Sequence, residues 1–120
     1  MIPSVVKWQI ITPQPDVSAA FYKSLFGWSV ALDNALGYRT LASGSGRGID
    51  GGVWPAPPQT PSFVQLFIEV PDVEAALSLA QSLGATVLVP RAVLPDGDVM
   101  AVLQDPTGVT FGLCTTKPNL

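Results

Sequence analysis

The sequence predicts an α+β domain built from two tandem βαβββ units, and an internal repeat carries the prediction. Pro15-Asp16-Val17-Ser18-Ala19-Ala20-Phe21 matches Pro71-Asp72-Val73-Glu74-Ala75-Ala76-Leu77 at an interval of 56 residues. Further on, Leu25-Phe26-Gly27-Trp28-Ser29-Val30 meets Ser82-Leu83-Gly84-Ala85-Thr86-Val87 at an interval of 57, one residue having been added within the second block. Each block follows a β-rich run and precedes several more. The interval is close to half of the 120 residues, as a tandem duplication requires.

The repeated block reads as a helix. Asp16 and Asp72 stand where an N-cap or first-turn residue belongs, because a carboxylate there accepts free backbone N–H groups and suits the helix dipole. Pro15 and Pro71 disfavour helix for the residue before them, so the preceding strand stops. In the second copy Val73, Ala76, Leu77, Ala80 and Leu83 recur at helical spacing as one apolar stripe. Gly27 and Gly84 supply the left-handed residue that ends each helix.

The strands follow from alternation. In the run 63–70, Val64, Leu66, Ile68 and Val70 form an apolar face expected under the helix, and Phe63, Gln65, Phe67 and Glu69 a mixed face pointing elsewhere. The same parity in the first copy puts Lys7, Gln9 and Ile11 on one face and Trp8 and Ile10 on the other. Later runs at about 85–94, 98–104 and 109–115 are separated by Pro95-Asp96-Gly97 and Asp105-Pro106-Thr107-Gly108, turn sequences of a hairpin meander. The first copy has weaker strands near 28–33, 37–42 and 49–54, with Gly and Ser from Ser43 to Gly48. Pro55-Ala56-Pro57-Pro58-Gln59-Thr60-Pro61 reads as a stiff, extended linker, four of its seven residues being Pro. The expected organisation is a single domain over 1–120, with unit one about 1–54, linker 55–61 and unit two about 62–117.

Bulk properties exclude several function classes. Charged residues are only 12% of the chain, against roughly 25% in an average domain. With a mean hydropathy of +0.38, some apolar surface remains after the core is filled, and a homodimer is the expected way to cover it. A net charge of -3 and six scattered Lys and Arg argue against nucleic acid, whose binding needs clustered cations. No apolar run reaches the ~18 residues that span a bilayer, so no membrane contact is expected. The single Cys114 cannot form an internal disulfide, and Met1–Lys7 has no signal-peptide pattern, which together predict a cytoplasmic protein.

Four pieces in register resemble the vicinal oxygen chelate superfamily, which groups glyoxalases, bleomycin-resistance proteins and certain dioxygenases. They are Phe21-Tyr22-Lys23-Ser24-Leu25-Phe26-Gly27-Trp28, Glu69-Val70-Pro71-Asp72-Val73-Glu74-Ala75-Ala76, Leu83-Gly84-Ala85 and Asp105-Pro106-Thr107-Gly108-Val109-Thr110-Phe111-Gly112-Leu113. The match covers nearly the whole chain. It implies that each unit contributes a half-open sheet that curls round a cavity, giving a cavity-enclosing mixed sheet, and that a chain of this length dimerises.

The resemblance also implies where a divalent metal would be held, by His, Gln or Glu on cavity-facing strands. Those positions fall on Lys7, Gln65 and Gly112, with Gln9 replacing Lys7 if the register moves as the repeat prefers. The chain has no His. Lysine is a cation, glycine has no donor, and two neutral amides lack the anion such sites use, so neither metal nor cofactor is expected.

By parity, Lys7, Gln9, Gln65, Phe67, Gly112 and Cys114 face the cavity, an apolar surface with a few polar groups that suits a small-molecule ligand. Lys7 either pairs an anion or reaches solvent. Gln9 and Gln65 either bond each other or contact the ligand. Cys114 lacks a His base and reads as a small buried hydrophobe. Trp54 anchors the linker, or lies at the pocket mouth or dimer seam. Trp8 and Trp28 read as core. Tyr38, Arg39 and Arg91 are candidates for the cavity rim, whereas Asp96, Asp98 and Asp105 read as turn residues. The expected function is binding of a small molecule, as in sequestration by bleomycin-resistance-like proteins. The alternatives are a lyase, isomerase or dioxygenase-like enzyme, with or without metal, and an interaction subunit whose cavity is filled by its own side chains.

Overall fold

The computed structural model describes residues 2–32 and 34–115, and the chain forms two compact units. Lys7–Gln65 makes one, and Leu66 onward, with the residues before Lys7, makes the other. The elements run β1 (Ser4–Thr12), α1 (Pro15–Phe26), β2 (Ser29–Ala31), β3 (Arg39–Ala42), β4 (Gly51–Pro55), β5 (Phe63–Glu69), α2 (Val73–Ser82), β6 (Thr86–Val93), β7 (Val99–Gln104) and β8 (Thr110–Thr115). This is βαβββ twice, an α+β fold. Residues 33 and 116–117, within the ranges expected for a strand and for unit two, lie outside the described residues.

The two copies share a topology. In the first, β2, β3 and β4 form an antiparallel meander closed by β1 lying parallel to β4, from Trp8 opposite Gly51 to Thr12 opposite Pro55. In the second, β6, β7 and β8 form the meander and β5 lies parallel to β8, with Phe67 opposite Gly112 and Glu69 opposite Cys114. Pro90 is accommodated in β6, a strand at the sheet edge, within the register shift between Val89 and Ala92, where a missing N–H interrupts a ladder least.

Each helix covers one face of its own meander. Ile10, Ala19, Leu41 and Val53 form the first core, with Trp8, Tyr22, Trp28 and Val30 packed on it. Val70, Val73, Leu77, Ala101, Leu103 and Leu113 form the second. Asp72 is the N-cap of α2, its carboxylate accepting the Ala75 N–H at 3.1 Å. In α1 the cap position is Gln14, and Asp16 lies in the first turn, where it pairs with Arg39 at 3.0 Å. Gly27 ends α1 at φ 73°. No described helix is long and apolar enough to cross a membrane.

Three local expectations are corrected. Val64 and Leu66 do not lie under a helix but are exposed, because of the run 63–70 only Ile68 and Val70 join the core beneath α2. Leu83 leaves the apolar stripe as the C-cap of α2, 69% exposed. The linker is not simply extended. Pro57–Thr60 forms a turn with the Thr60 N–H donating to Pro57 O at 3.3 Å and Gln59 at φ 70°, the geometry of a type II turn with Pro58 at its second position.

Candidate functional site

The sheet faces turned away from the helices carry the candidate residues. Because Trp8 and Ile10 pack toward α1, alternation turns Lys7, Gln9 and Ile11 to the open side. Because Val53 is in the core, its neighbours Gly52 and Trp54 on β4 are on that open side too. Gln9 is opposite Gly52 and Ile11 opposite Trp54, so the four form a block of the open face.

Tyr38 completes the block. Asn34 sets the turn before β3 by accepting the Leu36 and Tyr38 N–H groups at 3.1 Å each and donating from Nδ2 to Tyr38 O at 2.7 Å. The Tyr38 ring lies 5.8 Å from the Trp54 ring, centroid to centroid, at 46°. It rests against Gly52, where a Cβ would overlap the phenol ring. Burial pushes the Tyr38 hydroxyl above its ordinary 10.0, and its hydrogen bond with the Gln9 side chain pulls the other way. Gln9, Tyr38 and Trp54 thus form one neutral, aromatic, hydrogen-bonding surface. The Gln9 side chain bonds Tyr38. Lys7 is half-buried at one end of the same face, and Gln65 is 5% exposed.

In the second unit the core takes Ile68, Val70, Phe111 and Leu113, which leaves Phe67, Glu69, Gly112 and Cys114 on the other face. Phe67 and Cys114 are buried. A Cβ at Gly112 would overlap the Phe67 ring, so the aromatic ring occupies the space a side chain there would need. Cys114 is in no disulfide among the described residues.

The donor set fits a divalent metal poorly. The last expected ligand position is a glycine covered by a phenyl ring, and the others are a lysine and a neutral amide. Among the described residues no three His, Cys, Asp or Glu side chains converge as a metal site.

One expectation about the rim needs revising. Arg39 does not face the open side with Tyr38. It is the next residue along, so its side chain crosses to the helix side, where Nε donates to Asp16 Oδ1 at 3.1 Å. Asp96 and Asp105 do cap turns: Asp96 accepts the Asp98 N–H at 2.9 Å, and Asp105 accepts from Thr107 N and Oγ1 at 2.7 Å each and from Val109 N at 3.1 Å. What reading the sequence missed is the pair Gly51-Gly52. Consecutive glycines inside a β-rich run mark a close approach on both faces, here the Trp8 ring on one side and the Tyr38 ring on the other.

The profile of a family described as "Glyoxalase-like domain" matches residues 6–114. CFP32 of Mycobacterium tuberculosis, whose name offers glyoxylase as a proposed activity, is 33% identical over 108 residues, 82% of this chain. The chain spans about 41% of the length of that relative and of its Mycobacterium bovis counterpart. Among solved structures, the hypothetical protein BH1468 of Bacillus halodurans superposes with a TM-score of 0.72 at 14% identity, covering 100% of this chain and 99% of that one. A Streptomyces coelicolor methylmalonyl-CoA epimerase variant, in complex with 2-nitronate-propionyl-CoA, does so with a TM-score of 0.64 at 17% identity, covering 95% and 97%. Likeness at such identities is a likeness of fold.

Proposed function

Because the chain belongs to the glyoxalase-like domain family of the vicinal oxygen chelate superfamily, we propose that it uses the superfamily's open sheet face to bind an uncharged or weakly polar organic molecule, without a metal, as a sequestering or presenting protein. The observation that carries this reading is the Gln9–Tyr38–Trp54 surface lying over Gly52. Two tilted aromatic rings with a paired amide and phenol offer stacking area and two orienting hydrogen-bonding groups. It offers no strong Lewis acid or general base. Pockets of this composition hold ligands by apolar burial and use their few polar groups for orientation. The residues proposed to contact ligand are Lys7, Gln9, Trp54, Gln65, Phe67 and Cys114, with Tyr38 added by its geometry.

Exposed apolar side chains support the inference that two chains associate. Val17, Phe21 and Leu25 follow one another at helical spacing along α1 and are 57–65% exposed, and Val64 and Leu66 are exposed on β5. Light scattering should return twice the monomer mass; a monomer across the micromolar range would remove this part of the proposal.

The binding claim is tested by screening small molecules through thermal shift and following a positive ligand by Trp54 fluorescence. Gln9→Leu and Lys7→Ala, together with Gln65→Ala, should weaken binding. If all three leave affinity unchanged, the open face is not the binding surface.

A further inference from the structure

A cavity of about 400 Å³ lies in the first unit on the α1 side of the sheet, the opposite face from the Gln9–Tyr38–Trp54 surface. It therefore goes beyond the function proposed above. Its size falls within the range of small-molecule pockets. Its floor is aromatic: Trp8 and Trp28 line it with ring centroids 5.8 Å apart, both partly buried against the first core. The Trp8 indole N–H is already donated to Ile49 O at 3.0 Å, so Trp8 offers an incoming molecule its ring face and not a polar group.

The opposite wall is the loop Ser43-Gly44-Ser45-Gly46-Arg47-Gly48-Ile49-Asp50, whose polar groups are largely engaged with one another. Ser43 and Ser45 hydroxyls lie 3.0 Å apart, Ser45 Oγ donates to Arg47 O at 3.1 Å and accepts the Arg47 N–H at 3.1 Å, and Asp50 Oδ1 accepts the Ser43 N–H at 3.2 Å. These bonds fix the loop's shape. Two charged residues of opposite sign, Arg47 and Asp50, also line the cavity. Arg39 pairs with Asp16, and no ion pair of Arg47 is found among the described residues.

A cavity with an aromatic floor and one charge of each sign on its wall complements a molecule with a flat ring and a zwitterionic end. We propose that this cavity binds an aromatic α-amino acid or a close analogue, its ring against Trp8 and Trp28, its carboxylate toward Arg47 and its ammonium group toward Asp50. Stacking supplies affinity that tolerates different rings, and the two charges select the zwitterion.

The test titrates the 15N-labelled 120-residue chain with unlabelled L-tryptophan, indole-3-acetate (anion) and tryptamine (cation), following the three indole N–H resonances. L-Tryptophan should shift the Trp8 and Trp28 signals along one saturable curve and leave Trp54 in place. Asp50→Asn keeps an acceptor for the Ser43 N–H while removing the charge. It should weaken L-tryptophan about three- to fivefold and leave indole-3-acetate equal or tighter. Arg47→Gln should likewise weaken L-tryptophan and spare tryptamine. This crossed pattern is one that a merely structural role for the loop would not give. The proposal is overturned if millimolar L-tryptophan moves none of the indole signals, if Trp54 moves in place of Trp8 and Trp28, or if both charge variants bind all three probes as the native protein does.

Discussion

The hydrogen bond between Gln9 and Tyr38 ties the chemistry of the open face to two side chains, and it can be read directly. Burial favours the neutral phenol in the folded protein, so Tyr38's contribution to stability is intact below its ordinary 10.0 and is lost as pH climbs through the higher folded value. Ultraviolet titration of the Tyr22→Phe protein isolates Tyr38 and should show tyrosinate forming above 10.0. Gln9→Leu should move that transition higher still, since the lost bond was lowering it; a downward move would mean the bond is not made. Asp105 has the opposite sign. The Thr107 hydroxyl, then the Val109 and Thr107 N–H groups, hold its carboxyl below the ordinary 3.8. Its stabilisation is therefore present above that value and lost as pH falls through the folded one. In acid melts Asp105→Asn should lower the neutral-pH melting temperature and flatten the decline on the acid side. Alternation along the strand made Gln9 legible, and turn chemistry made Asp105 so. It should also have separated Tyr38 from Arg39, because neighbours on a strand face opposite sides.

Elements were more legible than what covers them. Both helices, the three hairpin strands of each copy and the turns at Asp96 and Asp105 follow from periodicity and turn chemistry that act locally. Exposure of Val64 and Leu66 does not, since alternation assigns a face but not the reach of the helix above it. The left-handed Gln59 was equally hidden, because no local signal asks a glutamine for positive φ. The repeat suggested equivalent roles for Asp16 and Asp72, yet one pairs with an arginine and the other caps a helix. Denaturant unfolding should separate them: Asp72→Ala should cost about 1 kcal/mol through the lost cap. Asp16→Ala should cost less than about 1 kcal/mol, its carboxylate being 83% exposed. The glycines opposite aromatic rings are structural in a stricter sense. Gly52→Ala and Gly112→Ala should each cost about 1–3 kcal/mol, because the Tyr38 or Phe67 ring must move to admit the methyl group. Gly52→Ala should also weaken any ligand held on the open face.

For the molecule as a whole, the duplicated fold and its family were readable from the order of four short motifs, because a repeat and its caps are written in consecutive residues. The site was readable only in part. Lys7, Gln9 and Gln65 could be placed by parity, but the packing of Phe67 over Gly112 and of Tyr38 over Gly52 arises between strands distant in sequence. At Gly112, an expected ligand position, that packing puts a ring where a donor would be needed, and the proposed reading without a metal rests on it. The most direct test is metal analysis of the purified protein, combined with thermal melts in added nickel, manganese, zinc and iron. The account predicts substoichiometric metal and an unchanged melting temperature with each ion. One equivalent of a metal that raises the melting temperature, and is lost on removing Gln9 or Gln65, would contradict it and favour a metal-dependent enzyme.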